Sequence, residues 1–199
     1  MAETLTSELD AINVMLGAIG MAPINSLSGN VTADVTMAQN ILHEISREVQ
    51  QRGWHFNKEE NYPLAPNVDG KIILSTNILR VDLPSRYNGR YDVVQRGLTL
   101  YDRKNRTDLF TETLKAEVVL FLPWESLPEP ARRYITIRAA RVFADRAVTT
   151  DALHSFTQED EFVALSNLKQ FDGDTADYTI FDNYDTFSVI DRGPPAVVR

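Results

Sequence analysis

The chain has 199 residues with a formal charge of −8, 43% hydrophobic and 24% charged residues, and no cysteine. That composition excludes a disordered, collagen-like or fibrous chain, and the missing thiols exclude disulfides, thiolate nucleophiles, CxxC redox sites and Cys-ligated zinc. No apolar run approaches the ~18–20 residues that span a bilayer, and residues 1–8 have no basic or apolar signal region, so a soluble chain without membrane anchor or export signal is expected.

In chain order, Leu5, Leu9, Ile12, Leu16 and Ile19 recur at three- and four-residue spacing, the stripe of an amphipathic helix. Ser7 and Asp10 give it a capping-box start, and Gly17, Gly20 and Pro23 mark an end near Ile19. Residues 21–32 are turn-rich and read as a connection. A second helix is expected from Ala33 or Asp34, carrying Met37, Ile41, Leu42, Ile45 and Val49, stopping at Gly53 and pairing with the first.

After Gly53 the period changes. Trp54-His55-Phe56 opens a region with Pro63 and Pro66, followed by β-forming stretches at Lys71 to Leu83, Tyr91 to Val94, Leu98 to Tyr101 and Ala116 to Leu122, four or five strands in all. Gln95-Arg96-Gly97 reads as a hairpin tip, and residues 102–108 as a charged loop or second tip. The spacings are too short for crossover helices, so the pairing is expected to be antiparallel.

Pro128 and Pro130 mark the next boundary, and proline is tolerated in a first helical turn. From Ala131 to about Val148, Tyr134, Ile135, Val142 and Phe143 form an apolar face beside a basic one made of Arg132, Arg133, Arg138, Arg141 and Arg146. Asp151 is placed to cap a fourth helix through Leu153, Phe156, Phe162, Val163, Leu165 and Leu168 to about Phe171, with Gly173 as a stop. Residues 172–199 hold six acids and no helical stripe, yet Tyr178, Ile180, Phe181, Tyr184, Phe187, Val189 and Ile190 are too apolar for an inert tail. They read as an extended arm that orders on a partner.

The expected fold is therefore α+β. Residues 1–53 and 128–171 supply an antiparallel bundle of about four helices, residues 54–127 an inserted antiparallel β region, and residues 172–199 the arm. No internal repeat or low-complexity tract is visible.

Catalytic signatures are missing. His43, His55 and His154 are scattered without metal-ligand spacing, and GxSxG, GxxxxGK[ST] and GxGxxG do not occur. No metal or cofactor is expected. Glu59-Glu60 and Glu159-Asp160-Glu161 are the carboxylate clusters from which a glycan-degrading hydrolase would have to be built, but adjacency in sequence does not supply the ~5–9.5 Å separation across a sugar bond. A solvated face or a helix N-terminal turn is the preferred reading of both.

Charge comes in three blocks: −6 over residues 1–70, +5 over residues 71–149 and −7 over residues 150–199. The five arginines of the third helix raise a DNA-binding hypothesis, which the overall acidity opposes. Their alternatives are salt bridges within the chain or contacts to a neighbouring copy. The neighbour is preferred, because opposite charge blocks on one chain suit head-to-tail assembly.

The second helix and its exit contain Ala38, Ile41, Leu42, Ile45, Arg47, Val49, Gln50, Arg52, Gly53, Trp54, Phe56 and Asn57, preceded by Ile19-Gly20-x-x-Pro23-Ile24-x-Ser26-Leu27. This pattern resembles the tail tubular protein A family of short-tailed (podovirus) phages. The resemblance continues through Arg96-Gly97, Leu100 to Arg103, Leu127-Pro128-Glu129 and the helix with Tyr134, Ala139, Arg141 and Phe143, covering roughly residues 7 to 165. It implies a virion structural protein: an adaptor or gatekeeper at the head-to-tail connector, in a ring of twelve, docked between the portal and the nozzle protein (tail tubular protein B), with tail fibres near the junction. The isolated chain could remain monomeric, its synthesis would take place in the bacterial host cytoplasm, and genomic DNA would pass without sequence-specific binding. Gly20, Pro23, Gly53, Trp54 and Phe56 would be structural anchors. Net acidity would help DNA through such a channel by repelling phosphate.

Overall fold

The computed structural model describes residues 5–29, 32–84, 87, 89–147 and 158–176. The helices are α1 (Glu8–Ala18), α2 (Ala33–Gln50), α3 (Glu129–Ala147) and α4 (Gln158–Ala176), and the strands are β1 (Lys58–Leu64), β2 (Ile78–Asp82), β3 (Val93–Arg96), β4 (Thr99–Asp102) and β5 (Leu114–Leu120). Among the described residues the fold is α+β, with four α-helices and two antiparallel sheets.

Local chemistry sets the helix ends. The Ser7 hydroxyl accepts the Asp10 amide at 3.1 Å and the Asp10 carboxylate accepts the Ser7 amide at 3.0 Å, which satisfies donors that the first turn of α1 leaves open. Thr32 caps α2, and Gly53, at φ +78°, turns the chain out of it. α3 begins at Glu129 with Pro130 in its first turn.

Packing makes α3 the centre of the bundle, in contact with α1, α2 and α4. Its buried residues point in several directions, from Ile135 and Phe143 to Ala139, Ala140 and Thr136, and the small alanines allow neighbouring helices close approach. Ile12, Leu16, Leu42, Val49, Trp54, Leu127 and Leu168 complete one apolar core. A second core lies within the insertion, around Leu64, Ile72, Leu74, Leu100, Phe110, Leu114 and Val118.

In the larger sheet β5 is central, with antiparallel β1 and β2 on either side. The β1–β5 register slips between Glu59 and Tyr62, where Asn61 sits at φ +57°, the mark of a bulge. β3 and β4 form a hairpin in which Gln95 pairs with Leu100 and Arg96 with Thr99. The tip is therefore Gly97-Leu98, one step beyond the expected Gln95-Arg96-Gly97. Gly97, at φ +62°, fills the first loop position, where a two-residue hairpin turn favours glycine.

Two further differences concern α4 and β1. α4 continues through Gly173 to Ala176, past the expected stop; Gly173 is exposed, with open space around it. β1 falls in the region with Pro63 and Pro66, to which the sequence assigns no strand of its own. Its residues are mostly polar, and it is ordered by its ladder to the apolar β5. The Asp151 cap, Leu153 and Phe156 lie outside the described residues, as does most of the expected arm.

Candidate functional site

The junction between bundle and insertion is held by carboxamides. Gln50, fully buried at the end of α2, donates from Nε2 to the Leu122 carbonyl at 3.1 Å, and its Oε1 accepts the Leu122 amide at 2.7 Å. Asn57 accepts the Trp54 amide at 2.8 Å and donates to the carbonyls of Gln50 at 2.9 Å and Leu120 at 2.8 Å. The chain entering the insertion is thus bonded to the chain leaving it. Trp54 is buried with its indole N–H on the Val49 carbonyl at 2.8 Å, and Phe56 packs half-buried against the bundle core. A Cβ on Gly53 would lie 2.8 Å from both Arg80 Nη2 and Val119 Cγ2, so this position excludes a side chain by space as well as by backbone conformation.

A similar clamp fixes the loop after α1. Asn13 donates to the Ile24 carbonyl at 3.0 Å and accepts the Ile24 amide at 2.8 Å. Gly20, at φ +77°, and exposed Pro23 shape the path to that clamp. Sequence reasoning missed Asn13 and did not assign Gln50 or Asn57 this clamping role. The available signal was an Asn or Gln beside positions of an apolar helical stripe, where a desolvated amide must find partners.

Near the start of α3, Arg132 is buried in a socket of carbonyls. Its Nε donates to Leu127 at 2.8 Å, Nη1 to Thr6 at 2.8 Å and Nη2 to Glu125 at 2.7 Å. The Trp124 indole reaches the same Thr6 carbonyl at 3.0 Å, and the Glu129 carboxylate takes the Thr6 amide at 3.0 Å and its hydroxyl. One guanidinium fork therefore ties the segment before α1 to the start of α3.

The remaining basic residues of α3 also find partners within the chain. Arg138 bonds Glu48 of α2 at 2.6 Å, Arg141 bonds Glu161 of α4 at 2.7 Å, and Arg146 makes a two-pronged pair with Glu44 of α2 at 2.9 and 3.2 Å. The in-chain alternative thus accounts for Arg132, Arg138, Arg141 and Arg146, because α3 is central and acidic faces of α2 and α4 flank it. Exposed Arg133 has no side-chain partner among the described residues. Tyr178, Phe181, Tyr184 and Phe187, the other expected interface residues, lie outside the described residues.

Glu59 and Glu60 are exposed on β1, with Glu60 3.3 Å from Lys58, while Glu161 is engaged by Arg141. A cavity of about 310 Å³ on the sheet is lined by Lys58, Arg80, Asp82, Glu117, Val118 and Val119. Its Glu117 lies 3.2 Å from Lys58. Burial opposes the charge on Lys58, but hydrogen bonds and attraction from Glu117 and Glu60 outweigh it and hold the ammonium above its ordinary range. The pair is a fixed ion pair. Asp10, Glu44, Asp102 and Asp108 are likewise held below the ordinary carboxylate range, so none is poised as a general acid at neutral pH. His43 pairs with Glu8 at 3.2 Å, the His55 amide donates to Asp172 at 2.6 Å, and His154 lies outside the described residues. Among the described residues, no cluster of His, Cys, Asp and Glu could hold a metal, and no helix is long and apolar enough to cross a membrane.

The outer end of the insertion has a different character. Fully buried Asp102 accepts the amides of Asp92 at 3.1 Å and Lys104 at 3.0 Å and the Asn105 side chain at 2.5 Å. Burial alone would raise this carboxyl, and the converging donors more than reverse that. The loop it organises exposes Arg103, Lys104 and Arg106. Beside it Ile73, Leu98 and Leu109 are each about half exposed.

A family model described as "Tube: Tail tubular protein" matches residues 9–178 of the chain. "Tail tubular protein A" of Klebsiella phage KP34 is 30% identical over 128 residues, which are 64% of this chain and 66% of that protein. The chain thus spans just under two thirds of the length of the curated relative it matches.

Proposed function

Because the chain belongs to the tail tubular protein family, and is therefore a structural component of a phage tail and of the virion, we propose that it is the ring-forming adaptor between the portal and the tail nozzle. Twelve copies surround part of the DNA ejection channel. The nozzle protein docks below, tail fibres attach near that junction, and the isolated chain remains monomeric until its partners are present.

The observation that most supports this reading is the charge left over once the pairs within the bundle are counted. Four of the five arginines of α3 are spent inside the chain and Arg133 is exposed, while residues 89–106 of the insertion carry five basic and two acidic side chains, Arg90 paired with Glu112 and Arg103 3.8 Å from Asp92, on a molecule of net charge −8. A basic outgrowth on an acidic body is self-complementary head to tail, and repetition of a head-to-tail contact closes a ring when the rotation permits. The polar groups of the junction serve rigidity: Gln50, Asn57 and Arg132 each bridge separate segments. Such a unit transmits load between neighbours without needing chemistry of its own.

The reading is tested by assembling connectors with and without this chain. With it, portal complexes bind the nozzle protein and retain packaged DNA; if complexes lacking it do both equally well, the adaptor role is wrong.

A further inference from the structure

Ile73, Leu98 and Leu109 are exposed apolar residues of the insertion on neighbouring extended segments. Ile73 bridges to Thr99, and Thr99 pairs with Arg96, so these three form a row across adjacent extended segments. Their neighbours Ile72, Leu74 and Leu100 are buried, which turns the row outward by the alternation of extended chain. Leu109 bridges Lys71, two positions before Ile73, and therefore joins the same face. The Leu98 carbonyl accepts the Leu74 amide at 2.8 Å, which seats the hairpin tip beside it.

Ile73 is 56% exposed, Leu109 53% and Leu98 48%, an arrangement that leaves adjoining apolar surface in water; Val68 is the other large apolar side chain of the insertion exposed among the described residues. The rim carries more cations than anions: Lys71 pairs with Asp108 at 2.8 Å and Arg103 lies 3.8 Å from Asp92. Arg96 stands 3.5 Å above the Tyr101 ring and has no carboxylate partner among the described residues, and the loop with Arg103, Lys104 and Arg106 adjoins it. An apolar strip with a cationic rim fits an acidic, aromatic-rich peptide. Nucleic acid would engage the rim and leave the strip bare.

The chain itself contains such a peptide. Residues 177–191 hold four aspartates, no lysine or arginine, and seven large apolar or aromatic side chains, Phe181 and Phe187 among them. The geometry points to residues 177–191 of a second copy as the occupant of the Ile73–Leu98–Leu109 face. α4 ends at Ala176, and its Asp172 touches His55 at the root of the insertion, so 23 residues remain beyond it. Fully extended at roughly 3.3 Å per residue, a segment of that length is long enough to bridge to a neighbouring copy. Every copy carries both face and segment, so each contact leaves a free face at one end and a free segment at the other, and the chain of contacts grows into the ring. This inference rests on the ring reading above, which supplies the reason for exchange between copies rather than closure within one.

The test uses the full chain with Phe181→p-benzoylphenylalanine, light and ¹⁵N-heavy copies mixed before assembly on the portal and irradiated, and cross-linked peptides mapped by mass spectrometry. The expected result is heavy–light cross-links from position 181 to residues 73, 96–101 and 109. Their yield should fall at least about tenfold in Ile73→Asp and in Arg96→Glu, the loss expected for an interface anchor, with unchanged thermal unfolding. Cross-links confined to one isotope show closure within a copy, and links to the bundle or the portal show another receptor; each overturns the inference. So does duplex DNA that displaces the cross-links. Electron micrographs of the same sample separate the two claims: rings without these cross-links overturn the docking alone, and no rings overturn the adaptor reading as well.

Discussion

Gln50 and Leu122 are 72 positions apart and bonded in both directions, amide to carbonyl at 3.1 Å and backbone N–H to side-chain oxygen at 2.7 Å. That reciprocal pair closes the base of the insertion. Gln50→Leu keeps the volume and removes both bonds, leaving two desolvated backbone groups unpaired at about 1–3 kcal/mol each. The expected loss is about 2–4 kcal/mol, measured as a lowered urea midpoint with an unchanged slope.

Arg132→Met should be comparably severe. Three carbonyls lose a charged donor in a buried socket, for an expected loss of roughly 3–5 kcal/mol. Because one of the three belongs to Thr6, amide exchange in residues 5–7 should accelerate more than exchange within α2. Equal acceleration of both would show that the socket does not fasten the segment before α1.

Much of the bundle was legible in the sequence because helices advertise themselves locally. The Ser7–Asp10 box, the α2 stripe and the Gly53 turn are all short-range signals, and the structure realises each. β1 was not legible: its residues face solvent on one side, and its order comes from β5, more than fifty positions later. The arginine face was visible as a pattern but not as a destination, since periodicity cannot say that Glu44, Glu48 and Glu161 stand opposite. The Arg132 socket has no local signature, because its acceptors are main-chain carbonyls drawn from three places.

Two glycine substitutions separate conformation from space. Gly20→Ala meets nothing within 4 Å and should cost only the left-handed backbone penalty of about 1–2 kcal/mol. Gly53→Ala carries that penalty and also forces a methyl against buried Val119 and Arg80, adding about 1–3 kcal/mol. Thermal unfolding of the two variants should rank them in that order.

Acid should loosen the outer end of the insertion. The Asp102 carboxyl titrates below its ordinary value of 3.8 in the folded chain, so its contribution is complete above that pH and is lost as pH falls through the lower folded value. Asp102→Asn is expected to lower stability by about 1–3 kcal/mol at pH 7, because an amide cannot accept all three donors. It should also flatten part of the decline below pH 4. Asp10, Glu44 and Asp108 are shifted in the same direction and remain in the variant, so a residual slope persists.

The proposed role of this tail tubular protein is a ring between portal and nozzle. Electron micrographs of the purified chain mixed with its portal protein test it most directly. Twelve-fold rings seated on the portal are expected in the mixture, and dispersed particles for the chain alone. Portals without added density, or a ring of this chain with any other symmetry, would contradict it.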